Sequence, residues 1–405
     1  MGGTGEGLSP AWIHPAMLVA YARGLGVRIR RAAAGHRRRP GSADDIVAAC
    51  IDACWDGRTY RASPGHFDQF WTRDLGFSAP ALCRLSPGHR ERVRRSLAWA
   101  IEVWRGRRSH VTTTIHAYRR PLDVFAYGVD SLPLLLAALR AAGADDLVER
   151  HRDWLAAELD HFLAVVVDPA SGLVRSDRTY SAHRDTVVNR STAYGNSMVA
   201  LLARTLDDTG WLPSPLAEVF GGDHGRLLRR HFWTVDRFRD ALDTEETSGE
   251  ANVWPFWTGV ISDRSMLEAA LGTLAREGYA SPLPLRYVTR RRPEHEVWVV
   301  RHLLPGYQGP AIWTSIGSMY LSLLREADPA AAAEGIAGYT GWIERDGTFW
   351  EVVDDAGRCW VSPRRLFIGE ESMLWGAIFL DLLRHPGAPP PVLAPARVPA
   401  SGTPG

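Results

Sequence analysis

The chain has 405 residues, 45% of them hydrophobic and 23% charged, which is the composition of an ordinary globular protein with a sizeable core. A formal net charge of +1 gives no electrostatic reason to expect nucleic acid or an anionic membrane as a partner. There is no run of about 18 apolar residues, and the Gly-rich start at Met1–Gly7 lacks the profile of a secretory signal, so the expected compartment is the cytoplasm.

Residues 1–10 read as a mobile start, 11–385 as a single domain, and 386–405, rich in Pro, Ala and Gly, as a disordered tail. The basic runs Arg28–Arg31, Arg37–Arg39 and Arg290–Arg292 have no interleaved aromatics and read as solvated surface. The four cysteines, Cys50, Cys54, Cys83 and Cys359, have no partner Cys/His pair at zinc spacing and read as free thiols. No helical H-E-x-x-H, P-loop, dinucleotide fingerprint or G-x-S-x-G elbow occurs, so neither a metal nor a cofactor is expected.

Between the ends, helix follows helix. An apolar segment begins after Asp74. Apolar residues recur at helical spacing over 44–55, 88–105, 130–142, 145–166, 193–208 and 223–232. The same holds over 263–277, 313–326, 329–345 and 370–384. Strand-like alternation is short and confined to 294–301 and 348–361. Segment 130–142 is apolar nearly all round and 145–166 is amphipathic, and such pairs recur; an inner layer of helices shielded by an outer one follows. An all-α fold, an (α/α)6 barrel with short β pieces in its loops, meets this pattern. A solenoid is the alternative, and no repeat of fixed period supports it.

The chemistry is concentrated in loops. Trp71-Thr72-Arg73-Asp74 sets an aromatic plane beside a guanidinium and a carboxyl, which suits a sugar: rings cover its C–H face while Asp and Arg divide its hydroxyls. A buried Arg–Asp pair under aromatics is the other reading. A second loop runs from Thr112 through His116 to Asp130, where Asp130 is either a sugar contact or a helix N-cap. A third, from Arg175 to Asn196, is densely polar; Asp185 is its candidate acid, with Arg184 and Arg190 beside it tending to lower its pKa.

In a fourth, Glu250 stands just ahead of Trp254 and Trp257, as a carboxylate against an aromatic wall. The last loops hold Gln308, Trp313 and Glu351, and Glu370 and Glu371 read as acidic residues at a helix start. Sixteen Trp, many beside acidic residues or turns, favour an aromatic-lined cleft over a purely packed core.

Taken in order, three of these segments resemble motifs of the (α/α)6-barrel glycoside hydrolases. The nearest group is that of processing α-glucosidase, mannosylglycerate hydrolase and trehalase, with the related glucoamylase and glycogen-debranching catalytic domains. Trp71-Thr72-Arg73-Asp74 is similar to their W-x-R-D, Tyr307-Gln308-Gly309-Pro310-Ala311-Ile312-Trp313 to Y-R-G-P-x-W, and Phe349-Trp350-Glu351 to the F-Y-E that carries the base.

The resemblance implies hydrolysis of an α-linked glucoside or mannoside with inversion, Asp185 as acid and Glu351 as base. It implies a carbohydrate-binding set of Trp71, Arg73, Asp74, His116, Asp130, Asn196, Glu250, Trp254, Trp257, Gln308 and Trp313. Two departures stand out: the E-S-G lead of the acid motif is absent ahead of Asp185, and Gln308 replaces an Arg. Glu250 is therefore a second candidate acid. A barrel that binds carbohydrate without turnover, or a sugar epimerase or lyase using His116 or His183, are the rival readings.

Overall fold

A computed structural model of the protein describes residues 15–363, 365 and 367–393. The mobile start expected over 1–10 and the part of the expected tail beyond 393 lie outside the described residues. Of residues 386–393, read from the sequence as the beginning of that tail, Pro390, Pro391 and Leu393 are buried. Leu393 is buried, and its N–H donates to the Trp257 carbonyl at 3.0 Å. The apolar Val392-Leu393 pair after the prolines gives the segment something to bury.

The first half of the chain forms α1 (Pro15–Ala34), α2 (Ala43–Ala53), β1 (Phe70–Trp71), α3 (Thr72–Leu85), α4 (Pro87–Arg107), β2 (Thr114–His116), β3 (Arg120–Leu122), α5 (Ser131–Ala141), α6 (Asp145–Arg150), α7 (Arg152–Val166) and α8 (Ala193–Thr209). The second half forms α9 (Ala217–Phe220), α10 (Arg226–His231), α11 (Gly249–Trp257), α12 (Arg264–Arg276), α13 (Trp298–Leu303), β4 (Ile312–Trp313), α14 (Thr314–Ala327), α15 (Pro329–Asp346), β5 (Val352–Val353) and α16 (Gly376–Arg384).

Six of these helices close a ring. α3 packs on α5, α5 on α8, α8 on α11, α11 on α14, α14 on α16, and α16 returns to α3. The others stand outside it, with α4 against α3, α7 against α5, α10 against α8, α12 against α11 and α14, α15 against α14, and α2 against α16. Closure excludes a solenoid.

The ring helices are buried on nearly every face, as in α5 and α8, whereas α15 buries only Ala332, Tyr339, Trp342 and Ile343. Gly76 lets α3 approach α5 closely: a Cβ there would lie 2.6 Å from the Cβ of Leu134. Side-chain caps start several helices: Thr192 accepts from the Gly195 N–H, Ser248 from Ala251 and Asp328 from Ala331. Gly210 and Gly347, both at φ +65°, close α8 and α15 in the left-handed region.

Three segments differ from the sequence reading. The Glu250 loop is the helix α11, because Ser248 caps it and its apolar residues fall at helical spacing. The alternation over 294–301 ends in the helix α13. Glu370 and Glu371 do not begin a helix; α16 starts only at Gly376, and both carboxylates are buried in ion pairs. No described helix is long and apolar enough to cross a membrane.

Candidate active site

A cavity of about 630 Å³ opens where the N-terminal ends of ring helices meet. Its polar lining comes from the residues that precede or begin those helices: Trp71, Arg73 and Asp74 at α3, His183 and Asp185 ahead of α8, and Tyr307, Gln308 and Trp313 ahead of α14. Glu351, between α15 and α16, completes it. Two short β pairs hold these loops in register. Trp71 pairs with Thr114 across β1 and β2, which also brings His116 to the cavity, and Trp313 pairs with Val352, next to Glu351, across β4 and β5.

Arg73 organises one side. Its Nε donates to Asp130 Oδ2 at 2.5 Å, Nη2 to Ser181 Oγ at 3.2 Å, and Nη1 lies 3.6 Å from Asp185 Oδ2. Asp130 is fully buried behind it and accepts the Tyr194 hydroxyl at 2.5 Å. It makes no helix-capping bond, so of its two sequence readings neither capping nor direct lining of the cavity holds. Its charge anchors the guanidinium that faces Asp185.

Gln308 holds the Asp185 loop from below. Its Oε1 accepts from the Thr186 N–H and hydroxyl, both at 2.8 Å, and its Nε2 donates to the His183 carbonyl at 3.2 Å. The glutamine that departs from the motif is thus a two-way staple across Asp185. Arg184, read from sequence as lowering the Asp185 pKa, turns the other way. It is neutralised by Asp240 at 2.7 Å and by Glu250 at 2.8 Å.

Burial pushes the Asp185 carboxyl up to about 6, against the opposing pull of Arg73. Burial likewise takes Glu351 up to about 7, opposed by His66 and by the Tyr307 hydroxyl that donates to its Oε1. The other oxygen of Glu351 accepts the Glu370 N–H at 2.8 Å. Asp74 is carried furthest, to about 8, by burial in spite of Arg73. Burial lowers the pKa of His183, whose Nδ1 faces the Trp254 indole N–H at 3.3 Å and the Tyr287 hydroxyl at 3.1 Å.

Of the residues expected from sequence, Trp71, Arg73, Asp74, His116, Asp185, Gln308, Trp313 and Glu351 line this one cavity. Asn196, Glu250, Trp254 and Trp257 do not. Asn196 caps the Val174 N–H at 3.0 Å and donates to the Thr192 carbonyl, tying the acid loop to α8. Glu250 is fully buried against Arg184, which removes it as a candidate acid open to substrate. Trp254 and Trp257 are core residues of α11, their exposure nil because this helix is buried on every face.

His66, Phe67, Phe77, Tyr307, Phe367, Met373 and Trp375 also line the cavity and were not singled out as site residues. Tyr307 stands inside a recognised motif and was legible there. His66 and Phe367 reach the site through folding alone.

No family model matches the chain, and no curated protein matches it by sequence. Solved structures do match. A wild-type glycosidase has a TM-score of 0.59 at 17% sequence identity, covering 86% of this chain and 96% of that one. A rhamnosidase from Klebsiella oxytoca with rhamnose bound has 0.58 at 15%, covering 87% and 66%. The GH63 mannosylglycerate hydrolase from Thermus thermophilus, in complex with Tris and D-glycerate, has 0.54 at 13%, covering 84% and 100%. The chain therefore shares the helical-barrel fold of these glycosidases. At such identities the likeness is one of fold.

Proposed function

We propose that the protein is a glycoside hydrolase with an (α/α)6 barrel, acting on an α-linked glucoside or mannoside with inversion. The observation that carries this reading is the convergence of Asp185 and Glu351 on one cavity, with their pKa values raised to about 6 and about 7. Glu351 takes a proton from water as the water oxygen attacks the anomeric carbon. The C–O bond breaks at the same time, and Asp185 gives its proton to the departing oxygen. One proton enters the protein and one leaves it, so the next turnover needs only a proton passed between the two carboxyls through solvent. Inversion requires about 6.5–9.5 Å between the two carboxyl groups, to leave room for that water.

Arg73 and Asp74 hold the hydroxyls of the glycone. With a pKa near 8, Asp74 keeps its proton at neutral pH and donates a hydrogen bond. Trp71 and Trp313 are the stacking walls. A glycosidase variant solved in complex with glucose and the rhamnosidase with rhamnose bound support a sugar as the ligand of this fold. The free thiols Cys50, Cys54, Cys83 and Cys359 support a reducing cytoplasm as the compartment.

Two variants separate the roles. Glu351→Gln lowers kcat by at least about a hundredfold on both an α-glucoside and α-glucosyl fluoride, since both need the activated water. Asp185→Asn suffers a similar loss on the glucoside but keeps fluoride release, because a departing fluoride needs no proton. Full activity of Glu351→Gln on every α-glycoside the parent cleaves contradicts the mechanism.

A further inference from the structure

The cavity has two kinds of wall. Most of its polar groups are buried, among them Arg73, Asp74, Gln308 and Glu351, while Asp185, His66 and Arg28 are half-buried. Nearer to solvent, half-buried, are Val124 and Phe125 after β3, Leu304 after α13, and Phe367 and Ile368 ahead of α16. Three separate segments thus each deliver apolar side chains to the outer part of one cavity.

Phe125 does so at φ +64°, a left-handed conformation that bulky residues rarely adopt. The loop holds that conformation and so keeps an aromatic ring at the cavity wall. Of the half-buried polar groups, His66 pairs with Glu370 at 2.6 Å, Asp185 lies 3.6 Å from Arg73, and Arg28 on α1 directs its Nε to the Gly24 carbonyl at 3.3 Å.

A second sugar in the leaving-group position would carry hydroxyls around its whole edge. Those that meet Val124, Phe125, Leu304, Phe367 or Ile368 would exchange water for carbon, and a buried hydroxyl without a partner is unfavourable. Aromatic rings alone are compatible with a stacked sugar; branched aliphatic side chains are not a stacking surface. The same wall gains from covering apolar carbon.

We propose that the leaving group this site accepts is an apolar alicyclic or aromatic alcohol in preference to a second sugar. This rests on the hydrolase reading above and adds the substrate class to it.

The test compares kcat/KM for cyclohexylmethyl α-D-glucoside and isomaltose, or the same pair built on mannose or rhamnose if that is the glycone cleaved. Both leaving groups are primary alcohols and cyclohexylmethanol is the less acidic, so leaving-group chemistry works against the predicted preference. The expected result is a preference of at least about tenfold for the cyclohexylmethyl glycoside. Leu304→Asn and Ile368→Asn, from different segments, are each expected to shrink the ratio about tenfold; a ratio reads only folded enzyme. Isomaltose cleaved equally well or better overturns the leaving-group assignment and leaves the hydrolase reading standing, as does a ratio unmoved by both substitutions. Cleavage of no glycoside of any of the three sugars overturns the hydrolase reading and this assignment with it.

Discussion

Asp185 and Glu351 titrate where they do because burial outweighs Arg73 beside the first and His66 and the Tyr307 hydroxyl beside the second. Hydrolysis needs Glu351 ionised, a state lost as pH falls through about 7, and Asp185 protonated, a state lost as pH climbs through about 6; their product is greatest between the two values and falls below about 6 and above about 7. The profile of kcat/KM is then a narrow bell centred near 6.5, with limbs that belong to the pair. Values about one unit apart leave the productive arrangement of the single proton as roughly a tenth of the one-proton form. The roles therefore rest on the loops and on the fluoride experiment, and the bell reports the pair. A flat rate from pH 5 to 8 would contradict both assignments.

At this scale the types of residue at the site were legible in the sequence, and their partners only in part. Arg184 stands beside Asp185 in the chain, yet the charge that faces the carboxyl is Arg73, a residue more than a hundred positions away. Glu250 and Trp254 looked like a carboxylate against an aromatic wall, and folding puts both behind the site.

Among the elements, α1 is the one the sequence reading passed over, its arginines having been read as solvated surface. Arg31 is instead buried: it pairs with Glu370 and donates to the Gly369 carbonyl at 2.7 Å. Burial alone would raise the Glu370 pKa, but His66 and Arg31 together hold it near 2. Since Glu370 also gives its N–H to Glu351, the N-terminal helix is tied to the proposed base through one carboxylate and one peptide.

Arg31→Met leaves a buried charge with less compensation and is expected to cost about 3–5 kcal/mol in urea unfolding at neutral pH. The contribution from the depressed Glu370 pKa is complete above the ordinary value of 4.5 and is lost as pH falls toward 2. The difference between parent and variant should therefore narrow over that window. A variant within about 0.5 kcal/mol of the parent at neutral pH would show the pair to be immaterial to stability.

The helices that were legible, such as 88–105 and 329–345, owe it to strong periodicity. α11 was hidden by its polar start and its tryptophans, and α13 by a short run of apolar residues that suits strand and helix alike.

For the whole molecule, the alternation of nearly apolar and amphipathic helices made two layers readable before any contact was known. What no local pattern contains is the contact of α16 with α3, which joins opposite ends of the chain and closes the ring. Closure is what brings loops from distant parts of the chain to one end and sets Trp71 and Arg73-Asp74, near the start, in one cavity with Glu351, near the finish.

Inversion at that site is read directly from the anomer that cleavage releases. Proton NMR of the first minutes of cleavage of an α-glucoside, or an α-mannoside if that is the sugar cleaved, reads the anomer released before mutarotation. With inversion the β-anomer appears first and the α-anomer only later, at the rate of mutarotation. Release of the α-anomer first, or no cleavage of either glycoside, would contradict it.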